Sequence, residues 1–245
     1  MLQVIYGHRG ACGYAPENTL EAFELAAKQG AAGVELDVHL SRDGQVVVAH
    51  DETINRVSDG TGYIRDMTLA ELKKYRFNRP HPEYKDAQIP TLREVFELLR
   101  PYGVQVNAEL KNSRIDYQGL EQKCLEIAAS LSMTDKVLYS SFNHHSLLRV
   151  KALDLNAKCG LLYDCTMVRP WEYAKSLGMD ALHPHFSELQ INGECAQAHA
   201  LGIEVNPWTV NEEEDLQMVI AAGANRIITN YPDRALCVLK AMQKV

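Results

Sequence analysis

The chain has 245 residues, of which 46% are hydrophobic, and its 25 Lys and Arg against 32 Asp and Glu give a formal net charge of −7. This length suits one large domain, and the hydrophobic content is enough to bury a core, which excludes a predominantly disordered protein. The acidic balance argues against nucleic-acid binding, because that function needs a basic face to neutralise phosphates. It does not exclude an anionic small molecule, since net charge says little about a single pocket.

The sequence carries no pattern typical of export or membrane insertion. Its N-terminus lacks a basic stretch followed by a long apolar one, and no apolar run approaches the roughly 18 to 20 residues of a spanning helix. The six cysteines are scattered without a CxxC pair, which is typical of reduced thiols and argues against a zinc site. We therefore expect a cytoplasmic protein with no integral membrane segment, whose oligomeric state the sequence leaves open.

Short apolar strands alternate with amphipathic helices along the chain. Strands are predicted at residues 3–7, 33–40, 104–110, 137–142, 158–163, 180–184, 203–208 and 226–229. Helices are predicted at residues 19–29, 91–100, 117–130, 146–153, 170–177, 188–201, 212–222 and 232–242. Eight strands alternating with eight helices favour a TIM (β/α)8 barrel. A doubly wound open sheet is the alternative, because alternation alone does not show that a sheet closes.

One segment interrupts this alternation. After the second strand, a turn at Gly44 leads into a short apolar strand at 46–49, and residues 51–90 are then rich in Asp, Arg, Asn, Pro and Gly. A short helix is predicted within this segment at 69–75. A stretch this long with so little regular structure is typical of a lid or an inserted subdomain. We expect one domain over residues 1–245, with an insertion at about 51–90 after the second barrel strand.

Three carboxylates stand at the C-terminal ends of strands, where a barrel would place its active site. Glu35 and Asp37 share one face of the second strand because side chains alternate along it, and Glu109 lies on the next barrel strand. Three converging carboxylates would repel one another unless a cation lay between them, and an all-oxygen ligand set suits Mg²⁺ or Ca²⁺. The alternative is that they are unrelated residues in salt bridges at the barrel rim.

Histidines and basic residues stand at neighbouring strand ends. His8 and His50 follow different strands, and two histidines across a cleft can act as a general base and a general acid. Arg9 and Lys111 would place positive charge near the carboxylates. Such side chains suit phosphate binding, although neutralising the carboxylates would also explain them.

Further residues on later strands point less clearly to a function. His183 and His185 lie on the predicted sixth strand, which would aim one of them at the mouth, but neither is expected to be essential. Trp208 shares a face of the seventh strand with Glu204 and Asn206 and offers an apolar wall. A lone aromatic side chain is nevertheless more often part of a core.

Several of these residues lie within short motifs spread along the chain. In order, the motifs are His8-Arg9-Gly10, Pro16-Glu17-Asn18-Thr19, GVELDV at 33–38, HD at 50–51, ELK at 109–111, SSF at 140–142, WTVN at 208–211 and TNYP at 229–232. Each fragment alone is weak, but the ordered set covers nearly the whole chain and resembles the glycerophosphodiester phosphodiesterase family. One departure is Asn230, where family members often have Asp.

The resemblance implies a TIM barrel with a small insertion after the second barrel strand. It also implies hydrolysis of small-molecule glycerophosphodiesters to sn-glycerol 3-phosphate and an alcohol, with a divalent cation, Mg²⁺ or Ca²⁺. Carried over by motif, the residues that bind the cation are Glu35, Asp37 and Glu109.

The same resemblance implies roles for the other candidates. His8 and His50 are the acid and base pair, and we favour His8 as the base and His50 as the acid. Arg9 and Lys111 bind the phosphate. Trp208 packs near the glycerol or the leaving group.

Two other functions remain as alternatives. A lysophospholipase D-like or cyclising phosphodiesterase acting on lipids would need an apolar surface for acyl chains, whereas the segment 51–90 is mostly polar. A non-catalytic ligand-binding barrel would be favoured by a damaged site, whereas both histidines and all three carboxylates are present.

Overall fold

Parallel strands form the centre of the molecule in the computed structural model, which describes residues 2–190 and 193–243. The strands are β1 (Val4–Gly7), β2 (Gly33–Leu40), β3 (Val46–Val48), β4 (Gln105–Leu110), β5 (Val137–Ser141), β6 (Lys158–Tyr163), β7 (Ala181–Pro184), β8 (Glu204–Val205) and β9 (Arg226–Thr229). The sheet order is β8-β7-β6-β5-β4-β2-β1-β9 with all neighbours parallel, and β3 pairs antiparallel with β2.

The two ends of this sheet meet. The backbone N–H of Asn225 donates to the carbonyl of Val205 at 2.7 Å. The N–H of Ile228 donates to the carbonyl of Pro207 at 3.0 Å, and its own carbonyl accepts from Val210 at 2.9 Å. These bonds tie β9 to the segment that follows β8, so the sheet forms a nearly closed barrel. The predicted TIM barrel is confirmed, and the doubly wound open sheet is wrong.

Helices surround the barrel. They are α1 (Leu20–Lys28), α2 (Leu69–Leu72), α3 (Leu92–Leu99), α4 (Leu120–Ser130), α5 (His144–Leu153), α6 (Pro170–Ser176), α7 (Glu194–Ala200), α8 (Glu213–Ala221) and α9 (Pro232–Met242). In α1, for example, Ala22, Phe23 and Ala26 are buried, and Phe23 and Ala26 belong to the main hydrophobic core. In the described ranges no helix is long and apolar enough to cross a membrane, and α4 and α9 reach only 11 residues each.

The helix predicted at 188–201 is wrong in its first part. A 3₁₀ turn covers Phe186–Gln190, and α7 begins only at Glu194. Gly193, just before it, has a left-handed backbone (φ +56°), which a right-handed helix cannot include. Residues 191 and 192 lie outside the described residues. The other helices predicted outside the segment 51–90 are confirmed to within three residues at each end.

The strand predicted at 203–208 is interrupted. Only Glu204 and Val205 form the regular strand β8, because Pro207 has no N–H to donate to the neighbouring strand. The backbone N–H groups of Asn206 and Trp208 still donate to β7, to the carbonyls of Leu182 at 2.8 Å and Pro184 at 3.1 Å. Trp208 therefore keeps its predicted place at the C-terminal end of the barrel.

The chain between β2 and α3 contains β3 and, after it, the predicted insertion at about 51–90. Val48 of β3 pairs with Val38 of β2, which attaches the insertion to the C-terminal half of that barrel strand. A capping box of Thr68 and Glu71 caps the N-terminus of α2. This helix ends at Leu72 and is shorter than the predicted 69–75. Apolar side chains of β3 and of the chain that follows it form a separate buried cluster of Val47, Ala49, Ile54, Val57, Ile64, Leu72, Phe77 and Ile89. The insertion is therefore a small packed unit beside the barrel mouth.

Candidate active site

The loop after β1 carries His8 and Arg9 into the C-terminal mouth of the barrel. Arg9 has a left-handed backbone (φ +51°), and its N–H donates to Oε2 of Glu35 at 2.9 Å. Gly10 follows with φ +83°, and a Cβ there would lie 2.5 Å from the backbone of Ala22 in α1. Glycine is needed at this position because the loop packs directly against the helix.

Hydrogen bonds fix the ring of His8. Its Nδ1 lies 2.7 Å from Oδ1 of Asn230, which also accepts from Sγ of Cys12 at 3.1 Å. Since an amide oxygen only accepts, Nδ1 carries the proton and Nε2 keeps a lone pair. Burial, and then the charge of Arg9, lower the pKa of His8 to about 4, so the ring is neutral at pH 7. Its Nε2 lies 4.0 Å from Oε2 of Glu35.

Glu35, Asp37 and Glu109 come together at the same end of the barrel. Glu35 and Asp37 lie on one face of β2, and Asp37 pairs in register with Glu109 of β4. One oxygen of each carboxylate lies within 4.8 Å of the others, and all three side chains are buried. Burial, and then the charges of Asp37 and Glu109, raise the pKa of Glu35 well above its ordinary value. Burial is also the largest cause of the raised pKa of Glu109.

Two basic side chains offset part of this negative charge, and one amide donates a hydrogen bond to it. Nζ of Lys111 lies 2.8 Å from Oε1 of Glu109 and 3.6 Å from Oδ1 of Asp37. Nε of Arg9 lies 3.6 Å from Oδ2 of Asp37, and Asn18 donates to that oxygen at 2.8 Å. Burial by itself would raise the pKa of Asp37, but nearby positive charges, Lys111 first, hold it well below its ordinary value.

The three carboxylates fit a divalent cation. Oδ1 of Asp37 is buried and has no hydrogen-bond partner among the described residues, although buried carboxylate oxygens ordinarily accept one. A cation between the carboxylates would supply that missing partner and offset their mutual repulsion. An all-oxygen donor set is the kind that Mg²⁺ and Ca²⁺ prefer.

His50 reaches the site from the start of the insertion. Its Nδ1 lies 2.7 Å from Oδ1 of Asp51, and because a carboxylate accepts, this nitrogen carries a proton. Its backbone carbonyl accepts from Nε2 of His39 at 3.2 Å, which fixes the loop. The side chain of His50 is 33% exposed against 15% for His8, so His50 lies closer to solvent.

Aromatic rings border the site. Trp208 donates from Nε1 to the carbonyl of His183 at 2.8 Å, and its ring meets Phe142 and His185 edge-on, each at 5.6 Å between centroids. His183 itself is buried inside the barrel, with Nε2 3.1 Å from Nδ2 of Asn206. Burial lowers the pKa of His183 to about 3. Of the two histidines on β7 and its C-terminal extension, His185 therefore lies toward the mouth, and His183 supports Trp208 from within.

These groups surround one cavity. It holds about 370 Å³ of empty space, a part of which is open solvent. The described residues that line it are His8, Arg9, Glu35, His50, Asn107, Glu109, Phe142, Leu162, Trp208 and Ile228. Asp37 and Lys111 lie beside this lining, in ion pairs with Arg9 and Glu109 respectively. The structure thus brings together all the candidate residues of the sequence motifs.

Several residues that hold the site in place were assigned no role from the sequence. Asn18 contacts Asp37 and Asn230 contacts His8, as described above. Glu17 accepts from Nη1 of Arg9 at 2.9 Å. The motifs at 16–19 and 229–232 contain these positions, but only the side-chain geometry shows what each of them contacts.

Comparison with known proteins agrees with this geometry. The profile of the Glycerophosphoryl diester phosphodiesterase family matches residues 8–234. The chain belongs to this family. It is an enzyme, a glycerophosphodiester phosphodiesterase, and the resemblance seen in the sequence motifs is confirmed.

Relatives of this family are similar over nearly their full length. A glycerophosphodiester phosphodiesterase from Caldanaerobacter subterraneus is 39% identical over 236 residues, which cover 95% of this chain and 96% of the relative. One from Bacillus altitudinis is 36% identical, with coverage of 98% and 99%. Among solved structures, a phosphodiesterase from Oleispira antarctica in complex with the product sn-glycerol-3-phosphate is 32% identical. Its TM-score is 0.86, with 98% of this chain and 97% of that chain covered.

Proposed function

We propose that this enzyme hydrolyses glycerophosphodiesters to sn-glycerol 3-phosphate and an alcohol at the barrel mouth, with a divalent cation. The observation that carries the proposal is the set of three buried carboxylates within 4.8 Å of one another, in a cavity lined by His8 and His50. The Oleispira antarctica relative, which holds sn-glycerol-3-phosphate, supports a small-molecule substrate of this kind.

The proposed cation ligands are Glu35, Asp37 and Glu109. When bound there, Mg²⁺ or Ca²⁺ supplies a Lewis acid that reduces the negative charge of the phosphodiester. Arg9 binds a phosphate oxygen through its guanidinium, and Lys111 adds a point charge. Together these charges stabilise the transition state, which is more negative than the substrate.

Proton transfer is assigned to the two histidines. His8, neutral at pH 7, takes the proton of the attacking oxygen through Nε2, and that oxygen belongs either to water or to the glycerol 2-hydroxyl. His50 gives a proton to the leaving oxygen as its bond to phosphorus breaks. The carboxylate of Asp51 accepts from Nδ1 of His50 and so orients the ring for this transfer. Each transfer contributes about 10²–10⁴-fold to the rate.

The apolar side of the cavity is assigned to the organic part of the substrate. Trp208 and Phe142 both line the cavity, and they offer flat apolar surfaces for the glycerol or the leaving group. This contact is expected to orient the substrate, whereas the charged residues hold its phosphate.

In this proposal residues 1–245 act as one domain. The insertion at about 51–90 belongs to it, since Arg56 of the insertion contacts Glu17 of the barrel, and β3, which leads into the insertion, pairs with β2. All six cysteines are free thiols, which supports a cytoplasmic location, where thiols stay reduced.

A lipid-directed activity is not favoured. Such an enzyme would need an exposed apolar surface for acyl chains, but Ile54, Ile64 and Phe77 of the insertion are buried in its own cluster. Among the larger apolar side chains described for the insertion, Tyr63 is the exposed one. A single exposed ring is a small surface for an acyl chain.

A substrate panel tests the proposed function. The purified chain is incubated with glycerophosphocholine, glycerophosphoethanolamine and lysophosphatidylcholine, first with EDTA and then with Mg²⁺ or Ca²⁺, and the products are separated by chromatography. We expect sn-glycerol 3-phosphate from the first two substrates, loss of activity with EDTA and recovery with metal.

The control is His8→Ala, which should fold and lose at least about 10²-fold in rate. Full activity after thorough metal removal would contradict the cation. Comparable cleavage of lysophosphatidylcholine would favour the lipid-directed alternative, and no product with every substrate and metal would indicate a non-catalytic barrel.

A further inference from the structure

Arg56 of the insertion forms ion pairs with two carboxylates at once. Its Nη1 and Nη2 donate to the two oxygens of Glu17, at 2.6 and 2.8 Å. Its Nε and Nη2 donate to the two oxygens of Asp51, at 2.8 and 3.2 Å. Glu17 lies in the loop before α1 and Asp51 in the chain after β3, so one guanidinium joins two separate segments of the barrel mouth.

Each of these carboxylates in turn holds a residue of the proposed site. Oδ1 of Asp51 lies 2.7 Å from Nδ1 of His50, and Oε1 of Glu17 accepts from Nη1 of Arg9 at 2.9 Å. Arg56 is therefore the middle member of a continuous chain of hydrogen bonds from His50 to Arg9.

The charges along this chain are balanced. The side chain of Glu17 is only 13% exposed and lies between Arg9 and Arg56. Burial would raise the pKa of Glu17, but hydrogen bonds from Arg56 and the charges of both arginines hold it below its ordinary value. Burial would likewise raise the pKa of Asp51, yet Arg56 and then His50 lower it to about 2. Both carboxylates thus remain ionised partners of Arg56 near neutral pH.

We propose that Arg56 is a positioning residue for phosphodiester hydrolysis, which fixes His50 on the insertion relative to Arg9 on the barrel. The proposal rests on the proposed function of His50 as the acid and of Arg9 in phosphate binding. The planar, forked guanidinium suits this task because it bonds two carboxylates in fixed directions, which the single ammonium of lysine does not. Small displacements of reacting groups, of about 1 Å, are enough to reduce rates by about 10²-fold.

The contact of Arg56 with Asp51 (the Asp51 side) and its contact with Glu17 (the Glu17 side) affect different steps, protonation of the leaving group and binding of the phosphate. His50 gives its proton to the leaving oxygen as the bond from that oxygen to phosphorus breaks, so an alkanol depends on it. A 4-nitrophenolate leaves as a stable anion and needs no such proton. Arg9, in contrast, contacts the phosphate of either substrate. Loss of the Asp51 side should therefore lower kcat for alkanol esters, and loss of the Glu17 side should raise KM for both kinds of ester.

The experiment measures kcat and KM, with Mg²⁺, for glycerophosphocholine and for the 4-nitrophenyl ester of glycerol 3-phosphate. For Arg56→Met we expect kcat on glycerophosphocholine to fall about tenfold or more, and kcat on the nitrophenyl ester to fall less than about threefold. KM should rise for both substrates. Arg56→Lys should behave like Arg56→Met, because it keeps the charge without the fork.

Variants of the two carboxylates separate the two sides. Asp51→Asn should reproduce the leaving-group-dependent loss of kcat, and Glu17→Gln should reproduce the rise in KM. The matched control is Arg76→Met, since Arg76 pairs with Asp59 on the same insertion through a 2.8 Å hydrogen bond from Nε. This variant should stay within about twofold of the unmodified enzyme on both substrates, because an exposed ion pair contributes little to stability.

Other results would overturn the proposal. Equal losses of kcat with both substrates in Arg56→Met, or no loss, would show that Arg56 does not position His50. His50→Ala distinguishes this from a failure of the proposed function. If His50→Ala itself shows no dependence on the leaving group, the role of His50 as the acid is wrong. If His50→Ala shows that dependence and Arg56→Met does not, only the positioning role of Arg56 is wrong.

Discussion

Asn18 donates a hydrogen bond of 2.8 Å from its side-chain amide to Oδ2 of Asp37, and both side chains are buried. Its backbone is left-handed (φ +57°), a conformation that asparagine adopts more readily than most residues. Nε of Arg9 lies 3.6 Å from the same oxygen, whereas Oδ1 has no hydrogen-bond partner among the described residues. Asn18 therefore orients a carboxylate that we propose as a cation ligand.

The first prediction concerns Asn18→Gly, which keeps the left-handed backbone and removes the amide. We expect the affinity for Mg²⁺ to fall about 10–100-fold, as for other partners that orient metal ligands. The free energy of unfolding should fall by about 1–3 kcal/mol, because Oδ2 of Asp37 loses a buried partner. Calorimetric titration with Mg²⁺ and urea unfolding measure the two effects. Unchanged Mg²⁺ affinity in Asn18→Gly would contradict the orienting role.

The sequence predicted the barrel and the candidate residues better than it predicted the contacts among them. The alternation of strands and helices is a local pattern, and the period of two along β2 is enough to place Glu35 and Asp37 on one face. The contact of Asn18 with Asp37 joins residues 19 apart, and that of His8 with Asn230 joins residues 222 apart. No local pattern encodes such pairs, because they depend on how the barrel closes.

The second prediction is that a divalent cation stabilises the fold without substrate. A cation that binds only the folded chain, at about 100 times its Kd, should add about 2.7 kcal/mol to the free energy of unfolding. For a chain of this size that corresponds to a rise in Tm of about 5–10 °C. Thermal unfolding with EDTA, Mg²⁺ or Ca²⁺ measures the shift. It should largely vanish in Glu109→Gln and persist in Glu97→Gln, whose side chain is exposed on α3; an equal shift in both variants would argue against the proposed ligands.

The third prediction concerns Asn230, which fixes the ring of His8. Asn230→Leu keeps a similar volume but offers no acceptor to Nδ1, so the ring loses its orientation and kcat should fall about 10–100-fold. Asn230→Asp restores an acceptor and should recover most of that loss. Steady-state kinetics on glycerophosphocholine compare the two variants, with circular dichroism to check folding. Equal kcat values for the two variants would mean that the hydrogen bond to His8 does not matter.

The fourth prediction is that His183 makes the fold sensitive to acid. Burial lowers the pKa of His183 to about 3, whereas a histidine in the unfolded chain titrates near 6.5. Between these values the unfolded chain binds a proton that the folded chain does not, so the free energy of unfolding falls as the pH is lowered. Of the loss between pH 7 and pH 5, His183 should account for about 2 kcal/mol.

Urea unfolding at the two pH values tests this with His183→Asn, which has no titrating ring. Between pH 7 and pH 5 the free energy of unfolding of this variant should fall by about 2 kcal/mol less than that of the unmodified chain, whatever the stability of the variant at pH 7. His39, whose pKa burial lowers to about 4, adds an acid-sensitive contribution that remains in the variant. His145→Asn, the same substitution at an exposed histidine, is the control. If His183→Asn and His145→Asn lose equal stability between pH 7 and pH 5, the buried ring of His183 is not the acid-sensitive group.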